Sequence, residues 1–510
     1  MPATTVYLIA LGVYLVAMIA IGYYGFRRTK NHDDYMLGGR DLPPAVAALS
    51  AGASDMSGWL MMGLPGAIYL SGLIEAWMAI GLTIGAYLNW RLVAPRLRAY
   101  TEVANDSVTV PIFLENRTHD RTHLLRIVAG VVILVFFTLY VSSGMVAGGK
   151  FFVSSFGGDY LTGMLVIGGV TVLYSLFGGF LGASYTDFVQ GVLMMLALIG
   201  VPILAFIAVL NAGDSATAAF ESHMTPGQLS FFGDDFSFST VIVIVSALAW
   251  GLGYFGQPHI IVRFMALRNA REAKTARRIG MGWMVLSLLG TIVSGFLGIA
   301  YLSLNGIELD DVTAETVVLE MAQLLFHPFI AGLVLAAVVA AIMSTISSQL
   351  IVSSSALIDD IGIVIFKKKP SPKAGVWLGR LGVLVISVVA ILLSLDQNSS
   401  ILELVSFAWA GFGAGFGPLI LLSLFWRRLT NWGAIAGMVL GSATVFIWPI
   451  FGTGLYELLP GFVIGLVAAV VVSLATHRPD TVDDREIQDE FTRTGAIVLE
   501  GIHGEDASAS

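Results

Sequence analysis

The sequence predicts an all-α polytopic membrane protein with thirteen transmembrane helices. Three observations carry that expectation. Of 510 residues, 56% are hydrophobic and only 12% charged, about half the charged share of a soluble domain. Mean hydropathy is +0.83. The apolar residues fall into runs of about 20, the length that crosses a hydrocarbon core of about 30 Å. The 57 glycines fit a helical bundle, since glycine is commoner in membrane helices than in soluble ones. Cysteine is absent, which excludes disulfides, thiolate metal sites and cysteine nucleophiles. The segments between runs hold no Walker phosphate loop, zinc-type His/Glu motif or serine nucleophile elbow. ATP-driven transport and enzymatic chemistry are therefore not expected.

In chain order, the first five runs lie near 5–26, 43–70, 73–95, 124–154 and 160–182. The next four lie near 186–211, 238–265, 278–303 and 328–358, and the last four near 375–395, 400–425, 430–451 and 459–477. The first run, Tyr7 to Tyr24, is too long for a signal core and carries its positive charges after it, so no cleavable signal is expected. If the runs alternate in direction, all but Lys150 of the 27 Lys and Arg residues fall on one side. They include Arg27, Arg28, Lys30 and Arg40 after the first run and Lys367, Lys368 and Lys369 after the ninth. The facing loops 212–237 and 304–318 hold Asp214, Asp234, Asp235, Asp310 and Glu315 and no Lys or Arg. By the positive-inside rule the N-terminus is outside and the C-terminus cytoplasmic. After His477 the chain is polar and acidic, and is expected to be a short mobile extension.

The chemistry lies where the runs are interrupted. The second contains Ala51-Gly52-Ala53-Ser54-Asp55-Met56-Ser57-Gly58 and then Pro65. A carboxylate there costs about 2.5–3.5 kcal/mol on insertion scales, so it must face protein, water or a cation. The seventh contains Trp250 to Pro258 with three glycines, and Pro258 leaves the Tyr254 carbonyl without its helical partner. Two interrupted spans five apart predict an inverted repeat, 43–211 and 238–425, with ligand sites where the breaks meet. Around these lie 1–42, the outer loop 212–237, two accessory helices in 426–477 and the acidic tail 478–510. The ninth run supplies Ser344 and Ser348 on one face with Thr345 beside them, hydroxyl ligands for a small hard cation. Ser347 is expected to bond back to its own helix.

These residues carry a resemblance. Ser50 to Leu60, Gly251 to His259 and Phe407 to Ala414 resemble the sodium:solute symporter family, and within it the proline-carrying branch, over essentially all the runs. The resemblance implies a LeuT-type core of two inverted five-helix repeats, alternating access, and co-transport of sodium with L-proline across a bacterial cytoplasmic membrane. It implies a sodium site of Ala53, Met56, Ala341, Ser344 and Thr345 with Asp55 required, and Asp187 as a further coupling carboxylate at the start of the sixth helix. It places proline among Ser57, Gly58, Tyr140, Trp250, Tyr254 and Pro258, and links Arg40 to coupling. Ser348 and Val141 depart from its usual pattern. Sodium is then the coupling ion, with no cofactor. The expected surroundings are the lipid bilayer, with no nucleic acid and no obligatory protein partner. A symporter for another small solute or a solute sensor of the same fold are the alternatives. A channel fits less well, because the polar groups gather at one level instead of lining a path.

Overall fold

The structure is a computed structural model, and it describes residues 2–28, 37–224, 226–233, 236–367 and 371–503. Lys30, Asp234, Asp235, Lys368 and Lys369 lie outside them. Among the described residues the regular structure is entirely helical, apart from one isolated bridge between Leu42 and Leu267. Buried backbone in an apolar medium must pair internally, and helices do so within one segment. Nine of the described helices are long and apolar enough to cross a membrane, and three shorter apolar helices accompany them.

The chain opens with α1 (Ala3–Arg28). The second run is divided: α2 (Pro44–Asp55), a π stretch at Trp59–Gly63, then α3 (Leu64–Ser71), with Pro65 in its first turn. The third run is α4 (Ala76–Leu88) and α5 (Ala94–Val103), joined through a π stretch at Asn89–Val93. A short α6 (Val110–Arg117) precedes α7 (Leu124–Phe156). The fifth and sixth runs form α8 (Tyr160–Ala212), broken at Gly179, where φ is +57°. That left-handed conformation is the one glycine adopts without a Cβ penalty.

After α9 (Asp214–His223), the seventh run splits into α10 (Phe238–Gly253) and α11 (Pro258–Met265). Then come α12 (Glu272–Leu304), the short α13 (Val317–Leu325) and α14 (Pro328–Ser355). The helices α15 (Ile363–Phe366), α16 (Pro372–Leu393), α17 (Ile401–Phe425), α18 (Asn431–Ile447) and α19 (Leu458–Thr476) complete the membrane-length part.

The centre of the bundle is α14, whose most apolar window is 83% buried, against 33% for α1, α18 and α19. It packs on α7, α8 and α1. Its stripe of alanines from Ala336 to Ala341 is fully buried and lets those neighbours approach. At the acidic end, the buried Lys150 pairs with Glu315 at 2.6 Å. The other Glu315 oxygen accepts from the Ile401 and Leu402 amides at 2.8 and 3.2 Å. An anion at a helix N-terminus meets unpaired N–H groups and the positive end of the dipole.

Two expectations are corrected here. The tail is not a loose extension: Val482–His503 is a helix, α20. Its Ile487, Phe491 and Thr494 are buried, at the three- and four-residue spacing of one helix face. Phe491 lies 5.1 Å from the guanidinium carbons of Arg96 and Arg427 and edge-on to Tyr100. Cation-π contacts of this kind, with Arg121 paired to Asp483 at 2.6 Å, hold an acidic helix against a basic face. Composition alone hid this, because among the described residues of the segment only Ile487, Phe491 and Thr494 supply the buried apolar or small positions. Secondly, Asp187 is not at a helix start, since the second half of α8 begins at Gly179. The macrodipole is felt only in the first turn and does not explain that carboxylate.

His119 joins the tail to the loop before α7, its ring nitrogens 3.5 Å from Glu486 and 3.6 Å from Glu490. Glu490, with Asp483 and Glu486, holds its imidazole above the usual pKa against the opposing effect of burial. A raised folded-state pKa gives a contribution present in full below about pH 6.5 and lost as pH rises through the folded value. Trypsin cleavage at the exposed Arg485 and Arg493, normalised to an unstructured peptide, should therefore quicken from pH 6.5 to 8.5. His119→Gln should remove that pH dependence, and Phe491→Ala should speed cleavage at every pH.

Candidate functional site

The first break is built by Met56, where the backbone leaves the helix at φ −81°, ψ 78°. The carbonyls it frees do not stay unpaired. That of Asp55 accepts from Trp59 Nε1 at 3.1 Å, from the Tyr140 hydroxyl at 3.2 Å and from the Ser57 amide at 2.9 Å. Gly58 stands where α7 passes so closely that a Cβ would come within 2.9 Å of the Ala147 methyl.

The second break lies opposite. Pro258 takes the first position of α11, where no N–H is needed, and Gln257 before it is extended. The Tyr254 carbonyl that the proline strands is met by Asn89 Nδ2 at 2.9 Å, and the Trp250 carbonyl by Trp409 Nε1 at 2.8 Å. Gly253 admits that indole, since a Cβ there would overlap the Trp409 ring.

One hydrogen bond joins the breaks. The Tyr254 hydroxyl donates to one Asp55 carboxylate oxygen at 2.5 Å. The other Asp55 oxygen is buried without a partner among the described residues. Asp55 lines a small cavity with Gly52, Tyr254 and Trp283. A buried carboxylate with one orphaned oxygen is the arrangement that a cation or a donor must complete.

Aromatic rings wall the space between the breaks. Trp250 stacks on Trp409 and Tyr456, with centroids 6.1 and 5.6 Å away, and tilts against Trp59 at 6.2 Å. Tyr254 meets Trp409 edge-on at 5.2 Å. Trp250, Tyr254 and Tyr140 are all buried. Such faces take an apolar ring and a cation together.

One turn from the first break, α14 brings its hydroxyls to the end of α2. Ser344 Oγ donates toward the Ala53 carbonyl at 2.7 Å and the Ala341 carbonyl at 3.1 Å, and Thr345 Oγ1 lies 3.5 Å from the same Ala53 oxygen. Four of the five expected sodium ligands thus converge as uncharged oxygens, the donor set of a hard cation. Met56 stands beside them at the break, buried, its amide bonded to the Gly52 carbonyl at 2.8 Å.

Two predicted residues are elsewhere. Asp187 Oδ2 accepts from Ser50 at 2.7 Å and from the buried Arg263 at 3.1 Å, and Arg263 also donates to Ser348 at 2.6 Å. The structure thus gathers Asp187 into a polar cluster nearer the basic end, where its other oxygen has no partner among the described residues. Ser347 does not bond back to its helix as expected, and its hydroxyl is buried without a partner among the described residues. Arg40 lies at the basic end, bonded to Thr101, the Ser107 carbonyl and the Met265 carbonyl at the close of α11.

Sequence reasoning missed Asn89, Trp59, Trp409, Tyr456 and Arg263. Trp59 and Trp409 sit inside motifs already singled out. Asn89 carried a signal too, as a polar residue within an apolar run. Tyr456 comes from the connection between α18 and α19 and has none.

Residues 35–441 match the sodium:solute symporter family. The high-affinity proline transporter PutP of Bacillus subtilis is 54% identical over 476 residues, covering 93% of this chain and 98% of that protein. The sodium/proline symporter of Escherichia coli K12 is 48% identical over 482 residues, covering 94% and 95%. Among solved structures, a sodium-coupled sialic acid symporter in a substrate-bound outward-open state aligns with a TM-score of 0.75 at 20% identity, covering 92% of this chain and 98% of that one. The nucleobase-cation symporter Mhp1 in a closed conformation aligns with a TM-score of 0.53 at 15% identity, covering 91% and 100%. These likenesses give the LeuT-type fold, and with breaks in its second and seventh runs this multi-pass chain belongs to the sodium:solute symporter family.

Proposed function

We propose that this protein couples sodium entry to uptake of L-proline by alternating access. The observation that supports the reading is the short segment from Ala53 to Gly58, which meets the hydroxyls of α14 at one end and the aromatic wall beyond it. Its first carbonyl, that of Ala53, meets Ser344 and Thr345, and the Asp55 carbonyl accepts from Tyr140 and Trp59. The chemistry of proline, an apolar ring bearing a zwitterion, suits that wall together with the backbone groups of the two breaks. Relatives named as proline carriers are about half identical over nine-tenths of the chain.

In this reading sodium sits among the oxygens of Ala53, Met56, Ala341, Ser344 and Thr345. Asp55 orients the first break through Tyr254 and supplies the compensating charge, and Asp187 acts further along the ion path. Proline rests among Ser57, Gly58, Tyr140, Trp250, Tyr254 and Pro258. Sodium binding ties the first break to α14 and so orders half of the proline site beforehand. By linkage, proline then tightens sodium by the same factor, about 5- to 150-fold for ordinary coupling energies. Arg40, by bonding the end of α11, transmits closure at the basic end.

The repeats run over 43–211 and 238–425, with 426–477 accessory. The thirteen crossings place the basic face in the cytoplasm and the N-terminus outside, in a bacterial cytoplasmic membrane.

Liposomes holding the purified protein should accumulate labelled proline under an imposed sodium gradient and not under a potassium one. Equal uptake under both would refute sodium coupling, and no uptake under either would refute the substrate. Asp55→Asn should abolish sodium-driven uptake. Ser344→Ala should raise the half-saturation concentration for sodium and, at fixed sodium, that for proline. A variant with normal sodium dependence would remove its residue from the ion site.

Trp250→Ala should raise the proline half-saturation concentration about tenfold or more, the scale of a lost aromatic contact of about 1.5 kcal/mol, while leaving sodium activation unchanged. An unaltered value would count against its place in the wall.

Because the chain has no cysteine, single cysteines introduced at Ser230 and Ser399 should label from outside intact cells, and one at Asn269 only after permeabilisation. Any reversal would redraw the crossings.

A further inference from the structure

Below the aromatic wall, a cleft begins at Pro258 and runs toward the basic end between α11, α7 and α14. Its sides are apolar, with Ile133, Phe180, Val262 and Val352 among them, and its far end is Thr109 and Asp360. Asp360 is buried and accepts from Thr109 Oγ1 at 3.1 Å and from Arg126 Nε at 3.2 Å. Arg126 is also 3.6 Å from Glu115. The cleft's volume is about 30 Å³, room for a water molecule, so a larger occupant requires the elements that line it to separate.

We infer that this cleft is a release-side binding site for the zwitterionic amino acid, with Arg126 meeting its carboxylate and Asp360 its ammonium group. The inference rests on the proline reading given above. A zwitterion leaving the aromatic wall sheds its contacts before it reaches bulk water. Exposing either charge alone to an apolar wall is costly. At the far end of this cleft the buried Asp360 and, behind it, the largely covered Arg126 can each exchange one partner for the opposite end of the ligand, and a zwitterion adds no net charge to the cluster they form with Glu115. Arg126 suits the carboxylate because its planar guanidinium can bind two oxygens at once. The apolar sides take the ring, and Pro258 is shared with the upper site, so the ligand passes from one to the other without crossing solvent.

Right-side-out and inverted membrane vesicles containing the full chain give the proline half-saturation concentration at the outer and the cytoplasmic face separately. Arg126→Gln and Asp360→Asn are each expected to raise the cytoplasmic value about tenfold, the loss of one charge-assisted hydrogen bond, and to leave the outer value within about twofold. Competition at the cytoplasmic face separates binding from a merely structural role. Arg126→Gln should weaken inhibition by cyclopentanecarboxylate, which keeps only the carboxylate, and Asp360→Asn inhibition by pyrrolidine, which keeps only the ammonium. Val108→Trp, which crowds the cleft without touching its charges, should slow cytoplasmic-face uptake and covers the case in which a charge variant fails to insert. Equal shifts at both faces, no shift at the cytoplasmic face, or loss of both competitors alike in either variant would overturn the inference. Absence of proline uptake by the unaltered protein would instead refute the substrate reading itself.

Discussion

A helix broken inside an apolar medium leaves carbonyls and amides that water cannot reach, and each unpaired one costs more than a net hydrogen bond returns. The rest of this structure depends on how that demand is met. Asn89 takes the carbonyl stranded by Pro258, Trp409 the carbonyl of Trp250, and Trp59 and Tyr140 that of Asp55. Three of these four partners come from other parts of the chain, so the breaks are tied to the stretch before α5, to α17 and to α7, while Trp59 closes on its own run. A ligand that replaces any of these bonds alters helix positions as well as local contacts, which is what alternating access needs.

Charge obeys the same constraint. Lys150 with Glu315 and Arg263 with Asp187 are buried as opposite pairs, and removing one member would leave an uncompensated charge. Asp55 differs, having a phenol as its described partner and one bare oxygen. A site that must bind and release a cation has to leave such a place unfilled by the protein's own cations. The oxygens that meet around Ala53 and Ser344 are uncharged, a donor set that suits a hard cation without overbinding it.

The family resemblance and the physical reading converge on the same segments, because glycine, proline and a carboxylate within an apolar run are costly unless used. The runs were legible from hydropathy, and the interruptions at Asp55 to Gly58 and Gly251 to Pro258 from residue type. Boundaries moved where glycine placed them, as at Gly179. The tail was misjudged because its few apolar positions pack only by docking on Arg96, Arg427 and Tyr100, and that surface is assembled from α5 and the connection after α17, both far away in the chain.

By itself the sequence determined that this is a helical membrane protein, where its helices break, and which residues are too polar for their surroundings, since all three follow from local composition and spacing. Only the tertiary structure decided what those residues meet. It set Tyr254 against Asp55, Ser344 against Ala53 and Arg263 against Asp187 across separations of 199, 291 and 76 residues. The partner of a buried polar group is fixed by packing among helices, and no periodicity within one segment encodes it.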